Sequence, residues 1–280
     1  MPPRWVETTL ASSPVAATGG QAIGAIEQMS NPTGAIEAVA EFAARLDGLD
    51  DPKTKAWWEG YMKGVIPFRG IKMPVLRAAL LPWWQERVVP EGPAFEKAVA
   101  ASFFGSTWSE DKLAGVLAFE HLASRLAAAD LAAFEAIFRA GLLFDWNNTD
   151  WFCVKVLDKL VRRDIVFARP IAGWTAQPDA PLWQRRAGAV AFVNVARQGS
   201  QPPSSPELWD LMWTAARNNV RRPGRFMQTS VGWLVRELGR ADQDAALAFL
   251  AEHRALLSRE AARYIVERLP ADVQAAALAG

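Results

Sequence analysis

The 280-residue chain is short of the side chains that most metal and acid–base sites use, with one cysteine, two histidines and two tyrosines. A lone Cys153 excludes an intrachain disulfide, and with only His121 and His253 to join it a zinc cluster of Cys and His is excluded too. A carboxylate metal site is not excluded by composition, but no pattern supports one. Long apolar runs are missing as well: Ala187 to Val193 falls far short of the roughly 20 residues that span a bilayer, so no membrane span is expected. Neither a G-x-G-x-x-G string nor a P-loop occurs, and no cofactor is expected. The lack of disulfides fits a reducing compartment, and the cytoplasm is the expected location.

Charge of one sign is absent overall, since 31 basic residues meet 30 acidic ones. That balance hides an asymmetry. Residues 151 to 240 hold 14 Lys or Arg against six Asp or Glu, a surplus of +8, and the rest of the chain carries −7. A local positive field is what a polyanion binder needs, because phosphate contacts supply most non-specific affinity. A solvated helical face accounts for such a count equally well.

Hydrophobic residues at 51% and charged residues at 22% place the chain with folded proteins. At about 150 residues per domain, the length allows two domains or one extended array. Periodicity decides between them. Gly34 to Leu46 puts Ile36, Val39, Phe42 and Ala43 on one stripe, the spacing of a half-buried helix. Similar patterns recur near 52–64, 74–88, 92–104, 109–126, 129–140, 149–163, 181–197, 205–219, 225–240, 242–255 and 258–268, and no strand pattern interrupts them. Ser109-Glu110-Asp111 and Ser258-Arg259-Glu260 have the composition of helix starts. Pro82 is expected to kink or split its segment, and Gly199 to Pro206 is the clearest loop. Successive helix pairs on short links predict an all-α superhelical array, its repeats degenerate because no fixed period recurs. Residues 1–33, rich in small residues, Pro and Gly, are expected to be a disordered extension, with a transit peptide as the alternative and Met29 as a possible true start. The domain is expected to run from 34 to 280.

Tryptophan is the compositional outlier, with 13 copies. Most are expected in the core. Three strings nevertheless mix Trp with charge. Phe144 to Trp151 (FDWNNTDW) places Asp150 four residues after Trp146, on one face if the helix has begun by then; a capping carboxylate is the plain alternative. Leu182 to Ala187 (LWQRRA) sets Arg185 and Arg186 ahead of an apolar helix. Phe226 to Glu237 places Trp233 and Arg236 three apart with Arg240 a turn beyond, while Gly232 permits close helix packing. His121 and His253 fall within apolar-periodic helices and Cys153 within an apolar stretch, so nucleophilic catalysis by a His-assisted residue is disfavoured.

In order and spacing, these strings resemble the AlkD-like DNA alkylation-repair glycosylases, which are built of HEAT-like helical repeats. The resemblance begins at Tyr61-Met62-Lys63 with Phe68-Arg69-Gly70-Ile71 and Pro74, runs through Trp146 to Asp150, Trp183 to Ala187 and Val231 to Glu237, and closes at Leu257 to Ala261. It covers about residues 35 to 269. Asn147, Thr149 and the N-terminal extension depart from the family pattern, the first two at positions that bear on substrate preference. The resemblance implies a HEAT-like superhelix with a concave basic cleft, acting as a monomer on double-stranded DNA that contains alkylated purines, nucleoid-associated if bacterial. It also implies Asp150 as the catalytic carboxylate, Trp146 and Trp233 as aromatic walls, Arg186 as a phosphate contact, Tyr61 as a contact to DNA around the lesion, and Arg236 flanking the cleft. Arg222 and Arg225, with Arg221, are further candidates for phosphate contacts. Arg185, one residue from Arg186 and about 100° away on a helix, is expected to matter less.

Overall fold

The computed structural model describes residues 34–197 and 205–279, so the expectations for 1–33 and for most of the loop at 199–206 lie outside the described residues. Among the described residues there are helices and loops and no strand. The chain runs α1 (Ala35–Arg45), α2 (Pro52–Met62), α3 (Met73–Trp83), α4 (Pro93–Ser102), α5 (Ser109–Leu122), α6 (Leu131–Arg139), α7 (Trp146–Phe152), α8 (Asp158–Arg163), α9 (Ile165–Gly173) and α10 (Leu182–Val190). It continues through α11 (Val193–Arg197), α12 (Pro206–Val220), α13 (Arg225–Leu238), α14 (Gln243–Glu252), α15 (Arg259–Val266) and α16 (Ala271–Ala279). None of these is long and apolar enough to cross a membrane.

The main contacts join helices close in sequence, which is how an α-solenoid is held together. One row passes from α5 to α7, then α10, α13 and α15, and flanking helices such as α9 and α12 pack beside it. A continuous core runs along the chain from Ala35 to Val266 and takes in this row. A smaller cluster of Met62, Ile66 and Phe68, with Trp58, Phe144 and Trp146 against it, ties α2 to the start of α7.

Two helices widen where the apolar spacing exceeds the helical period. After Phe152 the buried residues Phe152, Val156 and Leu160, and likewise Cys153, Leu157 and Val161, recur every four positions. A regular turn holds about 3.6 residues, so a strict repeat of four drifts by about 40° at each step. Residues Cys153–Leu157 absorb that drift as a π-helical turn, and α7 runs into α8 without a break. The same happens after α3, where Leu76, Leu80, Trp84 and Val88 are buried and Trp84–Val88 is π-helical. The helix therefore passes through Pro82 and widens just beyond it, instead of splitting there.

Helix α5 starts at Ser109 with Glu110 and Asp111 in its first turn, as expected, but these acids do not cap it and instead anchor the loop between α2 and α3. Glu110 accepts the backbone N–H groups of Arg69, Gly70 and Ile71, and Asp111 takes a bidentate pair from Arg69 at 2.7 and 2.9 Å. Gly70 has φ +96°, and a Cβ there would lie 2.7 Å from the Asp51 carbonyl, so the Phe-Arg-Gly-Ile string needs its glycine. Ser258, by contrast, caps α15 as expected by accepting from the Ala261 N–H.

Candidate active site

Asp145, not a residue near 149, starts α7. Its carboxylate accepts the Asn148 backbone N–H at 2.8 Å and the Asn148 side-chain amide at 3.0 Å. The helix therefore begins at Trp146, and Trp146 and Asp150 lie one turn apart on it. With the cap supplied by Asp145, Asp150 is released for another partner. The departures from the family pattern, Asn147 and Thr149, are buried with Asn148, whereas Trp146, Asp150 and Trp151 are half-buried.

The Asp145 cap sits in a buried polar layer. Asn148 also donates to Ser109 Oγ at 3.1 Å. Lys112, almost wholly buried, donates to the carbonyls of Phe104 and Leu142. Burial pushes its ammonium pKa down to about 8, against the pull of the nearby Asp145 and Asp111. Burial likewise raises the Asp145 carboxyl, which Asn148 and Lys112 partly offset. This layer fixes the origin of the helix that carries Trp146 and Asp150.

Arg186 reaches Asp150 from α10. Its Nε and Nη2 donate to the two carboxylate oxygens, both at 2.8 Å, and its Nη1 donates to the Phe226 carbonyl at 2.6 Å and to Thr229 Oγ1 at 3.2 Å on α13. A guanidinium has five N–H donors, so four are committed and one on Nη2 is left. The side chains are only 6% (Arg186) and 16% (Asp150) exposed. Burial works against the Arg186 cation, yet the Asp150 charge and hydrogen bonds hold it above its ordinary range. Two contacts on one carboxylate leave half of its roughly four lone-pair directions for a further partner. The bidentate fork fixes both the position and the plane of the carboxylate.

Trp233 follows Thr229 by one turn of α13 and is half-buried against the core. Gly232 beside it lies against α15: a Cβ would stand 2.8 Å from both the Ala261 carbonyl and Tyr264 Cβ, so the glycine sets how closely those helices pack. Asp150, Arg186 and α13 thus meet across α7, α10 and α13, although they are spread over nearly 90 residues. Tyr61 joins from α2, its ring 5.3 Å from that of Trp146 and nearly perpendicular to it.

The remaining arginines are placed differently. Arg236 pairs with Glu237 and Glu267 and lies 5.8 Å from the Tyr264 ring. Arg225 makes a bidentate pair with Glu260 at 2.9 and 3.0 Å. Arg222 is half-buried and close enough to Arg185 for the two like charges to interact. Arg185 turns away from the site, as expected, and donates to the carbonyls of Gln177 and Pro178. The +8 surplus is partly balanced in space by acids outside its sequence window, since Glu120 meets Lys155 and Lys159, while Glu260 and Glu267 meet Arg225 and Arg236.

Cys153 is fully buried, its Sγ 3.9 Å from the Ala187 carbonyl, and burial and then the adjacent Asp150 push its thiol pKa well up. His253 is buried against Phe249 and His121 is exposed. Among the described residues no three His, Cys, Asp or Glu side chains gather as metal ligands would. Sequence reasoning missed Thr229 and Phe226 as anchors of Arg186, which no local pattern signals. It also missed Trp57 and Trp58 as neighbours of Tyr61, although their spacing of four and three residues was a signal.

No curated protein matches the chain. Among solved structures, it is similar to a predicted DNA alkylation repair enzyme from Enterococcus faecalis, with a TM-score of 0.67 and 18% identity over 81% of this chain and 99% of that one. At that identity the likeness speaks for the fold. The family model described as DNA alkylation repair enzyme matches residues 42–269, which take in all the elements from the end of α1 through α15, and the chain belongs to that family.

Proposed function

We propose that the protein is a monofunctional DNA glycosylase that hydrolyses the N-glycosidic bond of cationic N3- or N7-alkylated purines in duplex DNA. The observation that carries the reading is Asp150 held in a bidentate grip by Arg186, one helical turn from the half-buried Trp146 in a chain of the alkylation-repair family. In such a lesion the purine already bears the positive charge. When the bond from C1′ to the purine nitrogen breaks, the electron pair goes to the base, which leaves neutral and needs no general acid. Positive charge moves to the sugar, and a preorganised carboxylate stabilises that oxocarbenium-like state. Water then adds at C1′, and Asp150 orients it or accepts its proton.

Arg186 keeps the Asp150 carboxylate aligned without being consumed, and its one uncommitted donor is available to a backbone phosphate. Trp146 and Trp233 offer indole faces that attract cationic groups and sugar C–H edges. An enzyme that leaves the base in the stack needs no deep nucleobase pocket. Tyr61 lies beside Trp146 at the lesion. Arg222 meets phosphate directly, while Arg225 and Arg236 do so by exchanging the half-buried Glu260 and the exposed Glu267 for it. In this reading the protein works as a monomer in the cytoplasm, with one helical-repeat domain from residue 34 onward.

The test is release of free base from randomly methylated duplex DNA, followed chromatographically under single-turnover conditions. Wild type releases 3-methyladenine or 7-methylguanine, and Asp150→Asn does so at least about 10² more slowly, the lower range for removing one preorganised electrostatic group. Near-normal excision by Asp150→Asn removes that residue from the chemistry. Tight DNA binding with no release by wild type would make the chain a recognition module instead.

A further inference from the structure

Trp57 is the most exposed of the large hydrophobic side chains among the described residues, at 59%. It is nevertheless packed against two other rings. Its ring stacks on Tyr61 at 5.1 Å and 18°, and it meets Trp58 edge-on at 4.8 Å. Trp58 in turn stacks on the buried Phe68 at 5.3 Å and 7°, and Tyr61 abuts Trp146. An aromatic run therefore leads from open surface to the residue one turn before Asp150. Tyr61 stacks on one face of the Trp57 indole, and the residue still leaves 59% of its surface open to solvent.

A cation stands on the same helical stripe as this face. Lys53, exposed, precedes Trp57 by four residues, and Tyr61 follows it by four, so a cation and two rings form one stripe of α2. Lys63 ends the helix nearby and is exposed too. Glu59 leans on Lys55, Asp51 is taken up by Lys72 and Thr54, and Asp50 precedes the helix, so no acid sits at positions 53, 57 and 61 of the stripe itself. An open, preordered aromatic face with cations beside it matches the backbone-and-base pattern of a nucleotide that has left its stack. An intact duplex has no such face to offer, because each base is covered by its neighbours.

We propose that Trp57 is a stacking platform for an unpaired nucleobase, with Lys53 against its phosphate, and that it favours distorted over intact duplex. The inference rests on the DNA-repair reading for its choice of polymer, but it does not involve Asp150.

The experiment compares binding of the full-length protein to two duplexes of one sequence, one fully paired and one with a single bulged 2-aminopurine, by anisotropy and by fluorescence of the bulged base. Wild type is expected to bind the bulged duplex more tightly and to quench its probe. Trp57→Ala should lose about tenfold on the bulged duplex, the effect of one lost base-on-aromatic stack, with the paired duplex unchanged and the quenching gone. Trp57→Phe should retain most of both. Equal losses on the two duplexes, no loss, or unchanged quenching in Trp57→Ala would overturn the proposal, as would a wild type without preference for the bulge. A Trp57-dependent preference in a protein that releases no methylated base keeps this inference and removes the glycosylase reading. Base release without that preference does the reverse.

Discussion

Replacing Asp150 by Asn strikes the fold and the chemistry together, and the geometry says how to separate them. The variant leaves the Arg186 guanidinium buried without its countercharge, and one of its two Asp150 contacts now faces an amide N–H. Breaking a buried ion pair from one side costs about 3–5 kcal/mol. Arg186 keeps its bonds to the Phe226 carbonyl and Thr229, and Asp150 is partly solvated, which places the loss near about 3 kcal/mol. For a chain of this size that corresponds to a fall in Tm of roughly 6–12 °C. Removing both charges with Asp150→Asn and Arg186→Met should cost less than the two single losses combined, by about 2 kcal/mol, because no lone charge is then left buried. Urea unfolding followed by circular dichroism at 222 nm, on wild type, both single variants and the double variant, measures this coupling. Excision should stay depressed in the double variant while stability partly returns. Additive stability losses, or activity that recovers along with stability, would refute the view that Arg186 serves mainly to hold a working carboxylate.

Two further outcomes are expected. Arg222→Ala should flatten the dependence of log affinity on log salt by about 0.9, equally for damaged and intact duplex, while Arg185→Ala, tied to loop carbonyls, should leave the slope alone; titration at several salt concentrations reads this, and identical slopes for wild type and Arg222→Ala end the phosphate assignment. Lys112 has a folded pKa of about 8 against about 10.4 when unfolded, so between those values the unfolded chain holds a proton that the folded chain has shed. The stability owed to Lys112 is thus present above the unfolded value and lost as pH falls through the folded one, at a slope of at most about 1.4 kcal/mol per pH unit. Urea midpoints from pH 7.5 to 10 should rise in wild type relative to Lys112→Met, and parallel curves would sink the idea.

Much of the architecture was legible because a helix facing a core leaves a 3.6-residue trace. The trace failed where other forces took over. Helix α9 was missed because Pro170 marks a break, yet the carbonyl it leaves unpaired belongs to Val166, which is exposed. The short α16, with three alanines in a row, has little amphipathic pattern to find. The segment expected as one helix over 181–197 is two, parted after Val190. In the site, the spacing of Trp146 and Asp150 was visible, because both residues sit on one helix. The grip of Arg186 on Asp150 was not, since it joins residues 36 apart through helix packing. The basic surplus was real as a count but could not reveal which acids would fold back onto it.

The π-helical turn at Cys153–Leu157 gives the site a reading frame. By holding more residues than a regular turn, it lets the residues before and after it face different neighbours within one continuous rod. Because the wide turn takes in its extra residue within about the rotation of a regular one, deleting a single residue there would let regular winding resume with Trp146 and Asp150 still facing α10. A deletion in the regular turns on either side would instead swing them by about 100° relative to α8. An insertion in those regular turns would err in the opposite direction. Loops between helices can gain or lose residues and leave the core row intact, but this stretch is counted. The map of tolerated length changes along the chain should therefore show a gap between residues 146 and 163, broken only by tolerance of a single deletion within Cys153–Leu157, even at positions whose side chains never meet a substrate.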